Sequence, residues 1–324
     1  MKIKWDAKAG EKGGVEHFMM KEIHGQPKEV ADTLHSVVKD GSIDLSAVGL
    51  TKEDIQSISQ IYIVACGSAW HVGMVAQYVI EDLAKIPVRV ELASEFRYRK
   101  PLLDKNGLVI LISQSGETAD TLAALREAKN RQVKTLAIVN VVGSSIAREA
   151  DNVFYTLAGP EISVATTKAY SAQLIAAYTL ALQFAKERNE IEMSEYEKLI
   201  KELDTLPDKI QEVIDNQEEI QKFAAKQAAA KDVFFIGRGI DYAVSLGGSL
   251  KLKEISYIHS EAYAAGELKH GTISLIEDGT LVIGVLTQDE LYEKTISNKV
   301  ECKSRGTYSM GLTTYGNYSV EETT

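Results

Sequence analysis

The sequence predicts an α/β fold made of two tandem copies of one unit, each with a parallel β-sheet between layers of helices. Short apolar runs alternate with longer helical patterns along most of the 324 residues, which is typical of parallel sheets. The runs are apolar at nearly every position, which indicates strands buried on both faces. One offset relates the two halves, since Gly67, Glu95 and Gly107 each lie 172 residues before Gly239, Glu267 and Gly279. A constant offset over several strands indicates a duplicated unit.

The first copy follows a polar, glycine-containing start and a helical lead-in. We interpret residues 1–14 as a linker and expect helices over 15–23 and 28–38, separated by a break before Pro27. The predicted strands of this copy are 61–64, 88–92, 108–112, 135–139 and 153–155. The predicted helices are 69–83, 118–129 and 166–188.

The second copy begins after a charged helical stretch, 195–231, which contains a break at Leu206-Pro207 and which we interpret as the connection between two domains. Its predicted strands are 233–236, 281–284 and 308–314, and its predicted helix is 242–257. The expected organisation is a linker and helical lead-in over 1–45, a first domain over 46–205 and a second domain over 206–324. We expect the second domain to stop short of its last strand and helix.

The bulk composition excludes several classes of function. The net charge of −10 argues against a nucleic-acid surface or binding to an anionic membrane. No run of 18 apolar residues and no signal peptide is present. Cys66 and Cys302 are too few for a disulfide framework, and a free thiol at Cys66 fits a reducing compartment. We expect a cytoplasmic protein with no nucleic-acid or membrane partner, and no metal site, because the histidines do not cluster with other ligands.

The strongest local signal is the segment Ser113-Gln114-Ser115-Gly116-Glu117-Thr118, which joins a buried strand to a helix. The N–H groups of the first helical turn have no partner within the helix, and the helix dipole favours an anion there. Three hydroxyl groups around a glycine can add hydrogen bonds to that anion. The segment predicts a phosphate site without the lysine of a nucleotide-triphosphate loop. The alternative is an ordinary Ser/Thr helix cap, which needs only one hydroxyl.

The second copy carries different polar residues. Its counterpart of the phosphate segment, residues 285–290, offers no such site. Lys251 and Glu254 lie three residues apart on a predicted helix and therefore share a face. The flanking Leu250, Leu252 and Ile255 indicate that this helix is largely buried, which favours a charged pair at a cleft. A surface ion pair is the common alternative.

Two further sequences in the second copy bear on function. His270 precedes a glycine in a predicted loop rich in small residues, and the alternative to a functional role is a histidine bonded to backbone. Gly237-Arg238-Gly239 is not a dinucleotide fingerprint, because the third glycine is missing.

The phosphate segment resembles the signature of sugar isomerase (SIS) domains. Further motifs narrow the resemblance to the isomerase half of the glutamine–fructose-6-phosphate aminotransferases, over nearly the whole chain. These motifs are Ala65-Cys66-Gly67-Ser68, ASEFRYR at 93–99, LKLKEISY at 250–257 and EAYAAGELKHG at 261–271. The resemblance implies two flavodoxin-like, three-layer (αβα) units.

The resemblance also implies a role for each site residue. Ser113, Gln114, Ser115 and Thr118 would hold the phosphate of fructose 6-phosphate, with Ser68 assisting. Val164 and the backbone at Cys66 and Gly67 would contact the sugar. Glu254 would move the proton between C1 and C2, Lys251 would support it, and His270 would open the ring from the partner subunit of a homodimer. No metal or organic cofactor is implied, and the product is glucosamine 6-phosphate.

The sequence departs from the family at three places. Ala69 stands where some members have a serine. We expect the amino-terminal glutaminase domain of the family, which supplies ammonia, and the carboxyl-terminal lysine that forms a Schiff base with the open sugar to lie outside this sequence. A sugar-phosphate-binding regulatory module without turnover, or an SIS deglycase or isomerase for another phosphosugar, remain alternatives.

Overall fold

The computed structural model describes residues 14–314 and 316–317. Most of the predicted linker, residues 1–13, lies outside the described residues. The chain divides into two compact units, the first ending at Asn216 and the second beginning at Gln217. Because both are α/β units with parallel sheets, the predicted fold class is confirmed.

Unit 1 contains a five-stranded parallel sheet in the order β4-β3-β5-β6-β7. Alternate strand residues face two separate cores, one shared with α1, α3 and α7 and the other with α4, α5 and α6. The elements are α1 (Phe18–Val37), β1 (Val38–Lys39), β2 (Ser42–Ile43), α2 (Lys52–Ser57), β3 (Ile61–Ala65), α3 (Gly67–Ala84), β4 (Val88–Leu92), α4 (Ala93–Phe96), β5 (Leu108–Ser113), α5 (Ala119–Asn130), β6 (Lys134–Val139), α6 (Ser145–Glu149), β7 (Asn152–Tyr155), α7 (Lys168–Glu187), α8 (Met193–Asp204) and α9 (Leu206–Asp215).

The predicted break before Pro27 is wrong, because α1 runs through the proline without interruption. Proline has no N–H, so the carbonyl of Ile23 loses its helical donor. The side-chain amide of Gln26 donates to that carbonyl oxygen at 3.2 Å and replaces the missing bond. Burial of Val30 and Leu34 in the core also holds the second half of the helix in place.

Unit 2 contains a four-stranded parallel sheet in the order β9-β8-β10-β11. Its elements are α10 (Gln217–Lys226), β8 (Asp232–Gly237), α11 (Ile240–Ser256), β9 (His259–Ala264), β10 (Leu281–Leu286), α12 (Tyr292–Lys303) and β11 (Tyr308–Thr313). The helical stretch predicted over 195–231 is therefore three helices, which end at Asp204, Asp215 and Lys226.

The structure supports the duplication in backbone detail. The strand order β9-β8-β10-β11 repeats the order β4-β3-β5-β6 of unit 1. Gly67 and Gly239, which are 172 residues apart, have φ angles of 55° and 56°. The residues that end α3 and α11, Lys85 and Tyr257, are also 172 apart, and both adopt the left-handed conformation that non-glycine residues seldom use.

Candidate functional site

The phosphate segment lies where β5 ends and α5 begins, at the carboxyl edge of the unit 1 sheet. Thr118 occupies the N-cap position of α5 but makes no side-chain cap hydrogen bond. Its hydroxyl instead lies 2.9 Å from the hydroxyl of Ser113. The structure therefore does not support the helix-cap alternative at Thr118, and the first-turn N–H groups of α5 receive no hydroxyl acceptor from the cap residue.

Gly116 gives the segment its shape. Its φ of 66° lies in the left-handed region, and a Cβ atom there would collide with the hydroxyl of Ser144. Its N–H donates to the Ser113 hydroxyl at 3.0 Å. Only glycine fits this position without strain, so the backbone of the segment can turn tightly at the helix start.

The Ser115 N–H has no acceptor in the described part of the chain, whereas the Ser115 hydroxyl accepts from the Glu117 N–H at 3.2 Å. The carboxylates of Glu117, within the segment, and of Asp120, just after it, both have partners. Glu117 accepts from the Ser145 N–H at 2.8 Å, and hydrogen bonding by Ser145 lowers its pKa. Asp120 pairs with Arg97 at 3.1 Å. The segment thus offers N–H and hydroxyl donors to an anion.

A second helix begins beside the first, because β3 and β5 are neighbouring strands. Cys66 is the N-cap of α3 and makes no side-chain cap hydrogen bond. Gly67 follows with its positive φ, and Ser68 lies in the first turn. The Thr121 hydroxyl of α5 lies 3.9 Å from the Cys66 sulfur, so the two helix starts are in contact. The structure brings these predicted site residues together with the phosphate segment.

Val164 lies in the loop from β7 to α7 and is 95% exposed. Two carboxylates that the sequence did not predict hold this loop, the buried Glu22 and the half-buried Glu161. Glu22 of α1 accepts from the N–H groups of Ile162 and Ser163 at 2.6 and 3.1 Å. Glu161 accepts from the N–H groups that begin α7 at 2.9 and 3.3 Å, and burial raises its pKa. Glu22 lies on the apolar face of the helix predicted over 15–23, and this position is the sequence feature that indicates a buried glutamate.

In unit 2, Lys251 and Glu254 form an ion pair on α11 at 2.5 Å, with about a quarter of each side chain exposed. The expected burial of this helix is wrong at its last turn, where Ile255 is 51% exposed. The buried residues of α11 lie nearer its start. The pair is therefore a partly exposed ion pair within this unit.

His270 is exposed in the turn after β9, where its N–H donates to the Glu267 carbonyl at 2.9 Å. Because α11 runs back from the carboxyl edge of the sheet at about 1.5 Å per residue, Glu254 lies roughly 20 Å along it. His270 follows the carboxyl end of a strand. Among the described residues of unit 2, no hydrogen bond or ion pair joins His270 to Glu254.

The carboxyl edge of unit 2 is occupied by its own side chain. Asp241, which is 4% exposed, accepts from the Thr287 N–H at 2.8 Å and from the Thr287 hydroxyl at 2.5 Å. Under the 172-residue offset, Asp241 corresponds to Ala69 and Thr287 to Ser115. In unit 2 an internal carboxylate therefore binds the Thr287 N–H, whereas the corresponding Ser115 N–H of unit 1 has no acceptor among the described residues.

Among the described residues, no group of three or more His, Cys, Asp or Glu side chains has a metal-binding arrangement. No described helix is both long and apolar enough to cross a membrane.

Comparison with known proteins gives a consistent result. The family model for the SIS domain matches residues 54–183 and 228–323. The chain is 57% identical over 320 residues to the glutamine–fructose-6-phosphate aminotransferase [isomerizing] of Caldanaerobacter subterraneus subsp. tengcongensis, covering 98% of this chain and 53% of that protein. The corresponding protein of Clostridium acetobutylicum is 56% identical over 321 residues, with 99% and 53% covered. The chain thus spans about half the length of the relatives it matches.

Solved structures agree. The C-terminal domain of glucosamine-fructose-6-phosphate aminotransferase from Francisella tularensis has a TM-score of 0.92 and 40% identity, with 97% of this chain and 87% of that chain covered. The glucosamine-6-phosphate deaminase of Thermotoga maritima has a TM-score of 0.73 and 25% identity, with 91% and 85% covered. The tagatose-6-phosphate ketose/aldose isomerase of Escherichia coli, at 14% identity and a TM-score of 0.73, with 95% and 88% covered, shares the fold.

Proposed function

We propose, from the premise that the chain belongs to the SIS domain family and to the isomerase domains of the glutamine–fructose-6-phosphate aminotransferases, that it binds fructose 6-phosphate and isomerises it. The amino sugar formed is glucosamine 6-phosphate, a precursor for UDP-N-acetylglucosamine. A glutaminase domain is the proposed source of ammonia, and the proposed compartment is the cytoplasm. No cofactor is needed for the chemistry proposed below.

One observation carries the phosphate part of this proposal. At matching positions of a duplicated edge, the Thr287 N–H is bound by the Asp241 carboxylate, whereas the Ser115 N–H has no acceptor in the described residues. The Asp241 carboxylate oxygen in unit 2 occupies the position that we propose for a phosphate oxygen in unit 1. The dipole and first-turn N–H groups of α5 favour the same charge. A phosphate monoester supplies an anion of this kind.

The residue roles in unit 1 follow from this placement. Ser113, Ser115 and Thr118 donate hydroxyl hydrogen bonds to the phosphate, Gln114 contributes to the same loop, and Ser68 assists from the start of α3. The backbone at Cys66 and Gly67, together with the exposed Val164, contacts the sugar. These roles are supported by the shared carboxyl edge, because ligands of parallel sheets bind beyond the carboxyl ends of the strands.

The roles in unit 2 rest on the resemblance. Ammonia adds to the C2 carbonyl of the open sugar, and loss of water gives an imine. Glu254 then removes the C1 proton and returns it to C2. Lys251, its ion-pair partner, supports this acid–base group. His270 opens the sugar ring from the partner subunit of a homodimer.

Replacement of Ser115 by alanine tests the phosphate site. We expect the affinity for fructose 6-phosphate in calorimetry to fall by about 1–2 kcal/mol, because a hydroxyl bond to a charged group is lost. Thr287→Ala changes the matching hydroxyl of unit 2 and should leave the affinity unchanged. Equal affinity of the Ser115→Ala variant and the wild type, both folded, would place the phosphate elsewhere.

A second candidate is a sugar-phosphate-binding module without turnover. The partial exposure of the Lys251–Glu254 pair favours it, because a partly exposed ion pair needs no catalytic role. Such a module would bind fructose 6-phosphate but would not exchange the C1 proton with solvent. Thermal stabilisation by a panel of phosphosugars would also separate fructose 6-phosphate from the substrate of another SIS isomerase or deglycase.

A further inference from the structure

We propose that Asn140 is a positioning residue that couples the phosphate segment to the loop from β7 to α7. This inference rests on the proposed function, because that function gives the phosphate to residues 113–118 and a sugar contact to Val164. Asn140 is the first residue after β6 and is 5% exposed. It has no direct role in the proposed chemistry.

The backbone of Asn140 holds the phosphate segment. Its N–H donates to the Gln114 carbonyl at 3.2 Å. A few residues later, the Ile146 N–H donates to the Gly116 carbonyl at 3.0 Å. The segment that follows β6 therefore supports the phosphate segment through main-chain bonds that do not depend on the Asn140 side chain.

The side chain of Asn140 holds the other loop. Its amide nitrogen donates to the Gly159 carbonyl at 2.7 Å. Its carbonyl oxygen accepts from the Ala158 N–H at 3.0 Å and from the Thr156 hydroxyl at 3.3 Å. Three bonds from one buried side chain fix the start of the loop that carries Val164.

Asn140 is thus a branch point between two segments that have no direct hydrogen bond to each other in the described part of the chain. A sugar phosphate bound by both segments must span a distance that Asn140 fixes at the start of the loop, while Glu22 holds the residues next to Val164. An anion bound by the phosphate segment alone does not depend on that distance. The side chain should therefore favour the phosphosugar over inorganic phosphate, which is an effect that general stabilisation of the fold would not produce.

Asn140→Asp tests this separation. The aspartate keeps the acceptor oxygen for Ala158 and Thr156 but presents a second oxygen, with no proton, to the Gly159 carbonyl. Asn152→Asp is the matched control: Asn152 is also buried, its amide donates to the Val48 carbonyl at 3.2 Å, and it lies at the other end of β7. Calorimetry of each folded protein with fructose 6-phosphate and with inorganic phosphate gives the two affinities.

The expected result for Asn140→Asp is a loss of fructose 6-phosphate affinity of about tenfold or more, the effect of one lost hydrogen bond and an unpaired carbonyl. The added charge repels both ligands alike, so the fructose 6-phosphate affinity should fall by about tenfold more than the affinity for inorganic phosphate. In Asn140→Ala, which adds no charge, the affinity for inorganic phosphate should change by less than about threefold, because the main-chain bonds remain. Asn152→Asp should keep both affinities. Asn140→Ala replaces Asn140→Asp if the latter does not fold, and the same difference between the two ligands is expected.

Three outcomes would overturn the inference: unchanged fructose 6-phosphate affinity in the Asn140 variant, an equal loss for the two ligands, or the same loss in Asn152→Asp. Failure of the proposed function looks different. In that case the wild-type protein itself binds fructose 6-phosphate no better than it binds a hexose without phosphate.

Discussion

At matching positions of the two units, the same backbone N–H meets opposite surroundings. In unit 2 the Thr287 N–H is bound by Asp241. In unit 1 Ala69 has no polar side chain to offer the Ser115 N–H, which finds no acceptor among the described residues. One strand order therefore supports two different edges. A sheet edge becomes a candidate anion site when the chain leaves its N–H groups without internal acceptors.

The backbone conformation at the next position, residue 116 in unit 1 and residue 288 in unit 2, also differs between the units. Gly116 has a φ of 66°, whereas the corresponding Gln288 has a φ of −97°. The tight turn is needed only in unit 1, where the segment leads directly into the start of α5. The residue type at this position therefore follows the local backbone conformation, with glycine where φ is positive and glutamine where φ is negative. The strand order is the same in the two sheets.

The largest expected effect is a loss of proton exchange without a loss of binding. It tests the chemistry that we assign to Glu254 in unit 2 separately from phosphate binding in unit 1. Glu254→Gln keeps shape and hydrogen bonding but removes the basic oxygen. In a protein extended to the length of its relatives, exchange of the C1 proton of fructose 6-phosphate with solvent should fall by about two to four orders of magnitude. Binding of the sugar phosphate should be retained.

The matched control is Asp82→Asn. Asp82 corresponds to Glu254 under the offset and pairs with Lys85 on the surface of unit 1 at 3.8 Å. It should exchange the proton at the wild-type rate. Wild-type exchange in Glu254→Gln would assign the proton transfer to another residue.

Ala69→Asp would transfer the Asp241 arrangement into unit 1. The new carboxylate should bind the Ser115 N–H and repel the phosphate, so that fructose 6-phosphate affinity falls by about 100-fold or more. Acidic residues are favoured in the first turn of a helix, so α3 should be retained. Calorimetry against Ala69→Asn, which lacks the charge, isolates the electrostatic part. Wild-type affinity in Ala69→Asp would contradict the equivalence of the two edges.

Gly116→Ala tests the backbone difference. We expect a loss of about 2–4 kcal/mol in the free energy of unfolding of unit 1, from the left-handed φ and the collision with Ser144. Gln288→Ala at the matching position should change stability by less than about 0.5 kcal/mol, as is usual for a side chain without such constraints. Urea unfolding measures both. Similar losses in the two variants would mean that the glycine is not required by the turn.

The smallest effect concerns Glu161, a half-buried carboxylate that holds the loop from β7 to α7 in unit 1. Burial raises the pKa of Glu161, so its contribution to stability is greatest at acidic pH and is lost as the pH rises through the raised pKa. Glu161→Gln can still accept from the N–H groups that begin α7. The thermal stability of this variant relative to the wild type should therefore increase from pH 4 to pH 7.

Glu117→Gln provides the control of opposite sign. Hydrogen bonding by Ser145 lowers the pKa of Glu117, so its stabilising contribution is lost as the pH falls through the lowered pKa. The variant should be less stable than the wild type at pH 7, with a difference that narrows in acid. A pH-independent difference in either variant would contradict the role of its carboxylate.

Local signals made much of this structure predictable. The apolar strands and the phosphate segment are each recognised from a few adjacent residues, and the 172-residue offset is recognised from matching single residues in the two halves. Strand β9 was missed because it is an edge strand with polar residues and one neighbour. The helix through Pro27 was missed because a side chain, Gln26, supplies the absent donor.

The contacts that shape the edge could not be predicted, because they join residues far apart in the sequence. Asp241 meets Thr287 across 46 positions, and Glu22 meets Ile162 across 140. The exposure of Ile255 depends on what covers the last turn of α11, and periodicity in the sequence does not report that. Each of these features is decided by tertiary packing.

The Asp241 carboxylate also makes the two units respond differently to mass action. In unit 2 the Asp241 carboxylate already satisfies the Thr287 N–H, so an external anion gains no bond from that group. If unit 1 completes its edge with a sugar phosphate, each tenfold rise in free ligand above the dissociation constant adds about 1.4 kcal/mol to its stability. A duplicated fold can in this way contain one half whose stability depends on the concentration of a bound metabolite, and another half whose sheet edge is already satisfied by its own carboxylate.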